Sequence, residues 1–313
     1  MLDNRLAAKK CQRFAGEARR LVAGGNETDD IITTFSQALM CVRITFFLLM
    51  DHSHLFCVLF SSPENKALSR QLAQELQVTL LDDADATTPF RFHYEGTILH
   101  LSVYKDNALC GTLVVDFSSP SFSHRLNTSM RINQPLARAV GVKRGFRPLV
   151  CDLTAGLGTD GMVLAALGCR VTMVERCLPL YLLLRDGLRR AAEIDRLRAG
   201  VERIRIHHMD AARFIETTEP DYDTIYLDPM YPLVKKSARA KLHARLLRIV
   251  AGDDYDAPHL LQTALNSPVK RVVVKRGRTI ASLGSQTPAF AVTSKQLRYD
   301  VHINPTCDTC PPD

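Results

Sequence analysis

The chain has 313 residues, 46% of them hydrophobic, which is enough for one sizeable core and a smaller second unit rather than a string of modules. Forty Lys and Arg against thirty-three Asp and Glu give a formal charge of +7 and a pI near 9.0, which favours a polyanionic partner, nucleic acid first. The most apolar stretch, Ala38 to Met50, carries Arg43, falls short of the ~20 residues that span a bilayer and lacks a cleavage pattern after it, so neither a membrane span nor a secretory signal is expected.

In chain order, Arg5 to Ala23 interleaves Lys9, Lys10, Arg13, Arg19 and Arg20 with apolar positions, which predicts a solvated amphipathic helix in an N-terminal extension, residues 1–54. From Leu55 the pattern changes to short β-like runs, Leu55–Phe60, Val78–Leu81, Ile98–Tyr104 and Gly111–Phe117, with a helical segment Glu64–Leu76. These predict a small α+β domain over 55–126. After the polar segment Ser118–Asn127, a helix Gln134–Val140 leads through Gly141 and Gly145 into regular α/β alternation. Its strands are Leu149–Leu153, Arg170–Glu175, Ile204–His207, Thr224–Leu227 and Arg271–Lys275, with helical runs between. That order predicts a Rossmann-like, doubly wound parallel sheet over 127–313.

Nine cysteines, with Cys57, Cys151 and Cys169 inside apolar runs, read as reduced thiols packed like small hydrophobes, and hence as a cytoplasmic protein. Cys307 and Cys310 are the one closely spaced pair. No second pair or nearby His completes a tetrahedral set, so no metal is expected.

The strongest local signal runs from Val150 through Asp152, Thr154, Gly156 and Gly158 to Gly161, an apolar strand entering a glycine-rich turn and then a helix. Such a turn brings backbone N–H groups and a helix N-terminus close to a nucleotide-like ligand. The spacing of Gly156, Gly158 and Gly161 also satisfies the GxGxxG of a dinucleotide site, so a nicotinamide-dependent oxidoreductase has to be weighed. Asp152, four residues before Gly156, suits the ammonium of a methionine moiety and is awkward beside a pyrophosphate. Glu175, at the end of the next strand, is placed for the two hydroxyls of an adenosine ribose, which either cofactor would use. Asp210, after the third strand, can accept from an adenine amino group or be a plain loop residue.

The fourth strand ends in Tyr226-Leu-Asp228-Pro229-Met-Tyr231-Pro232, close to the Asp/Asn-Pro-Pro-Tyr/Phe sequence of amino-methyltransferases. An exocyclic base amine is a poor nucleophile because its lone pair is delocalised into the ring. The Asp228 carboxylate and a carbonyl of the Pro229–Met230 turn can accept its two N–H bonds and aim the nitrogen at an electrophilic methyl. Pro229 stiffens the turn, and Tyr231 can stack on the base. Two basic tracts flank this motif. Lys235, Lys236 and Arg239 follow it directly, and Lys275 and Arg276 belong to the later tract Lys270–Arg278; all five suit contacts to RNA phosphates.

With these motifs in place, the chain resembles the ribosomal RNA small subunit methyltransferase J family. The resemblance is carried by Asp152-Leu-Thr-Ala-Gly-Leu-Gly-Thr-Asp160, Val163–Val171, Glu175-Arg176, Leu227-Asp-Pro-Met-Tyr-Pro232, Lys235-Lys-Ser237 and Arg271–Arg276, and runs from about Leu55 to Ile303. It implies S-adenosyl-L-methionine as cofactor, 16S rRNA or the small ribosomal subunit as partner, and the N2 amine of a guanosine as acceptor. By position it implies cofactor contacts from Thr159, Asp160, Glu175, Arg176, Asp210, Ala211 and Asp228. Three departures stand out. Residues 1–49 precede the family's usual start, as an added element or an upstream-extended reading frame. The stretch His124–Pro135 lacks the family's glycines, and Glu175-Arg-Cys-Leu-Pro179 shifts a proline by one. A non-catalytic RNA-binding relative with the same fold is the second alternative.

Overall fold

The computed structural model describes residues 55–60, 62–82, 88–129, 132–218, 221–230 and 238–304, without the side chains of 238–241. The predicted helix Arg5–Ala23 and the Cys307/Cys310 tail lie outside these residues. Among the described residues no helix is long and apolar enough to cross a membrane.

Alternating apolar residues over 90–113 become an antiparallel meander of β3 (Phe90–Glu95), β4 (Ile98–Lys105) and β5 (Ala108–Leu113). The turn at Asp106 and Asn107, both with positive φ, sets the start of β5 three residues earlier than the predicted Gly111. β1 (Phe56–Leu59) pairs in parallel with β2 (Leu80–Leu81) through helix α1 (Lys66–Leu76), giving a five-stranded sheet in the order β2-β1-β3-β4-β5. Residues predicted as a polar segment fold instead into α2 (Pro120–Ser129). Its Phe122 and Leu126, four apart on one face, are buried, and Ser119 Oγ accepts the Phe122 N–H at the first turn.

The second sheet begins after α3 (Pro135–Val140). In chain order it runs β6 (Leu149–Asp152), α4 (Thr159–Ala166), β7 (Arg170–Glu175), α5 (Leu178–Ala192), α6 (Asp195–Val201), β8 (Ile204–His208) and α7 (Ala211–Thr217). It continues through β9 (Thr224–Leu227), α8 (Ala238–Ala251), α9 (Ala257–Asn266), β10 (Arg271–Gly277), β11 (Phe290–Thr293) and β12 (Leu297–Ile303). The five predicted strands are all present, and they pair in parallel. Runs such as Val272-Val-Val274 are buried on both faces, as a parallel sheet covered by helices requires. The departure is at the far edge, where β12 runs antiparallel to both β10 and β11 in the order β11-β12-β10-β9-β6-β7-β8. β7 and β8 lie to one side of β6, and β9 and β10 to the other. The chain therefore changes direction at β6, which opens a crevice at the carboxyl ends of β6 and β9.

From Cys57 onward both sheets fall in one compact unit, and α5 packs against strands of both. Asp186 accepts the Leu99 N–H at 3.1 Å, and Arg185 holds Glu75 through two N–H bonds. At Gly187 an added Cβ would strike Val115 Cγ1 and sit 2.8 Å from its Cβ and 3.0 Å from its carbonyl oxygen. Alanine in a helix gains about 1 kcal/mol over glycine, whereas overpacking against a fixed backbone costs about 1–3 kcal/mol. Gly187→Ala should therefore destabilise the protein, read as a lower urea midpoint at unchanged slope.

Candidate active site at the crevice

The chain places a carboxylate at or just beyond the end of four adjacent strands, Asp152 after β6, Glu175 after β7, Asp210 after β8 and Asp228 after β9. Between the first two runs the glycine turn, with Gly156 and Gly158 at positive φ. Gly158 caps α4, whose first residues are Thr159 and Asp160. A Cβ there would strike the Leu184 side chain, so the turn sits directly against α5.

Glu175 is buried. One of its oxygens accepts the Gly156 N–H and the other the Cys177 N–H, each at 2.7 Å. Burial pushes its carboxyl up against the pull of those two bonds. Asp152, 2% exposed, accepts the Thr154 N–H at 3.2 Å. Burial first, then the nearby Asp160 charge, push its carboxyl well above the usual range. Asp210 is the N-cap of α7 and accepts the Arg213 N–H at 3.0 Å, and Ala211 is buried behind it.

The Asp228-Pro229 turn is tied to the glycine turn by the Asp228 N–H, which donates to Thr154 Oγ1 at 2.6 Å. Pro229 is buried, and the Met230 N–H donates to Asp254 at 2.6 Å. Asp254 and Asp256 also receive the guanidinium of Arg176, so the ends of β7 and β9 share one acidic clamp.

Lys275, two residues before the end of β10, lies 2.6 Å from Asp228 Oδ2 and 2.8 Å from Asp160 Oδ2. Asp160 also accepts the Tyr226 hydroxyl at 2.7 Å and is paired with Arg125 from α2. Burial opposes its charge, but Lys275 and Arg125, with the bonds from Lys275 and Tyr226, hold its carboxyl well below the usual range. Burial likewise opposes the charge of Lys275, and Asp160 and Asp228 keep it protonated above its ordinary range.

Two of the residues expected to contact RNA are drawn inward. Lys275 points into the crevice, and Arg276 is buried with its guanidinium on the Ala281 carbonyl, because both faces of β10 are interior. Tyr231, Lys235, Lys236 and the side chain of Arg239 lie outside the described residues. Sequence reasoning gave no role to Arg125, Thr154, Tyr226 or Asp254, although Thr154 lies inside the glycine-turn motif and Tyr226 opens the strand-end motif. Arg125 lies within the His124–Pro135 stretch, which is the only hint at it.

Fold and site define the class of S-adenosylmethionine-dependent methyltransferases. The family model described as "Putative SAM-dependent methyltransferase" matches residues 71–304. A crystal structure of a SAM-dependent methyltransferase from Neisseria gonorrhoeae superposes with a TM-score of 0.62 at 29% identity, covering 80% of this chain and 97% of that one. The ribosomal RNA small subunit methyltransferase J of Desulfotalea psychrophila is 38% identical over 236 residues, 75% of this chain and 90% of its own. That of a Shewanella strain is 42% identical over 228 residues, 72% of this chain and 85% of its own. The chain belongs to the ribosomal RNA small subunit methyltransferase J family.

Proposed function

We propose that this protein transfers a methyl group from S-adenosyl-L-methionine to the exocyclic N2 amine of a guanosine in 16S rRNA of the small ribosomal subunit, in the cytoplasm. The observation that carries the reading is the Asp228-Pro229 turn, tied at 2.6 Å to Thr154 of the glycine turn. An amine held by that turn would stand beside the cofactor crevice. The names of the relatives supply ribosomal RNA, and the amino-methyltransferase motif supplies the amine.

The donor set suits a zwitterionic nucleoside and not a dinucleotide. The Gly156 N–H, which a pyrophosphate would need, is taken by Glu175, and two further buried carboxylates, Asp152 and Asp160, crowd the turn. Asp152 would meet the ammonium group of the methionine moiety, Glu175 the ribose hydroxyls and Asp210 the adenine amine, with Thr159, Arg176 and Ala211 completing the pocket. When bound, S-adenosylmethionine supplies a methyl made electrophilic by its sulfonium. Asp228 and a carbonyl of the Pro229–Met230 turn accept the two N–H bonds of the amine and free its lone pair for attack. Lys275 holds the Asp228 carboxylate in one orientation, and Tyr231 stacks on the base. Lys235, Lys236 and Arg239 contact backbone phosphates.

Incubating the protein and labelled cofactor with small-subunit particles and with naked rRNA from an undermethylated strain, then analysing the nucleosides by mass spectrometry, tests the assignment. N2-methylguanosine is the expected product, and its absence from both substrates, or methyl on another atom, overturns it.

Ligand binding should depend on pH through Asp152. Burial raises its carboxyl, so it takes up a proton at higher pH than an ordinary carboxylate does, and only the ionised form pairs with an ammonium. Affinity for S-adenosylhomocysteine should therefore rise with pH through that titration, with proton release on binding. Calorimetry in buffers of different ionisation enthalpy measures this, and Asp152→Asn should flatten the dependence.

A further inference from the structure

The first sheet carries a cluster outside the crevice. His93 on β3 and His100 on β4 are direct cross-strand partners, and Glu95 lies two residues beyond His93 on the same face. Phe92, Tyr94, Leu99 and Leu101 alternate with them and are buried on the opposite face. Their burial fixes the register and so holds the three polar residues together.

The imidazole rings stack with centroids 5.2 Å apart and an interplanar angle of 26°. His93 Nε2 lies 3.5 Å from Glu95 Oε1, and His100 Nε2 lies 3.6 Å from Glu95 Oε2. One ligand atom from each residue falls within 4.8 Å of the other two. These N···O separations are too long for hydrogen bonds. Each is close to the edge of a tetrahedral shell, where two ligands ~2.1 Å from one ion stand roughly 3.4 Å apart, although the two histidines face different oxygens of Glu95 and must close on one of them to share an ion. Two imidazoles and one carboxylate form a recurrent three-ligand zinc set that leaves a fourth position for water. Glu95 is 68% exposed on its side chain, so an ion can reach the cluster without unfolding the hairpin.

We propose that His93, Glu95 and His100 form a binding site for one zinc-class divalent cation, which clamps the β3–β4 hairpin. The proposal does not rest on the methyltransferase reading, because the site shares no residue with the crevice.

The test uses the full chain stripped with chelator, in a Cys307→Ser/Cys310→Ser background so that the tail thiols cannot compete. Titration with Zn2+ should show one site, and Co2+ should give the visible absorption of a four-coordinate ion. Zn2+ should also raise the thermal midpoint. His100→Ala and Glu95→Gln should each weaken binding at least tenfold and abolish the thermal shift. Glu95 is exposed, so Glu95→Gln keeps the test valid if the histidine variant fails to fold. Absence of Zn2+ uptake, or uptake unchanged in Glu95→Gln and His100→Ala, overturns the site.

Discussion

Asp228→Ala is expected to lower the methyl-transfer rate by about 10²–10³-fold, the loss seen when one preorganised hydrogen-bond partner is removed from a reacting group. The argument rests on what the substitution leaves alone. The Asp228 side chain is 37% exposed, and its backbone N–H to Thr154 survives truncation. Lys275 keeps Asp160 as a partner 2.8 Å away. The fold and the glycine turn should therefore persist, with S-adenosylhomocysteine affinity retained within about tenfold and the thermal midpoint little changed. Asp228→Asn separates acceptor from charge, because the amide oxygen can still take one N–H of the base. It should retain more activity than the alanine variant. Equal loss in both would assign the effect to charge, and full activity in Asp228→Ala would remove Asp228 from the mechanism.

The centre of the fold is legible because β6, β7, β9 and β10 are buried on both faces. A parallel strand in that position must be a near-continuous apolar run, and the runs at Val150, Val171, Ile225 and Val272 are. β11 is not legible, since Phe290, Ala291 and Thr293 are exposed and only Val292 is buried, which leaves no period to read. α2 is hidden in the same way, its apolar face reduced to Phe122 and Leu126 among serines and polar residues.

The site divides along the same line. The carboxylates stand out because chain order alone puts them at strand ends. Their partners do not, because Arg125 meets Asp160 across 35 residues and Tyr226 meets it across 66, distances that no local motif spans. The placement of the tract Lys270–Arg278 is hidden for a related reason. Composition reports its charge, but strand alternation and sheet burial decide that Lys275 and Arg276 face inward.

Lys275→Met is expected to be the most destabilising change in the crevice. Lys275 is 16% exposed and Asp160 8%, so removing the ammonium leaves a buried carboxylate short of its main cation. Breaking such a pair from one side costs about 3–5 kcal/mol. Arg125 and the Tyr226 hydroxyl remain on Asp160, and the Asp228 end of the bridge is solvent-screened, so the lower end of that range applies. A fall of roughly 5 °C in thermal midpoint follows for a chain of 313 residues. The pH dependence has a definite sign. The folded-state pKa of Asp160 is depressed, so its contribution is present above the ordinary carboxylate range near ~4 and is lost as pH falls below it. Lys275 stays charged throughout that window, so the difference between wild type and Lys275→Met should shrink on acidification. Adding Asp160→Asn should recover part of the loss, because the amide still accepts the Tyr226 hydroxyl and no buried charge is left to compensate. Strict additivity of the two substitutions in a double-mutant cycle would mean that the ammonium and Asp160 are not coupled. Substantial recovery with transfer activity still lost, while Asp160→Asn alone keeps its activity, would make Lys275 a positioning residue for Asp228 as well as a structural one.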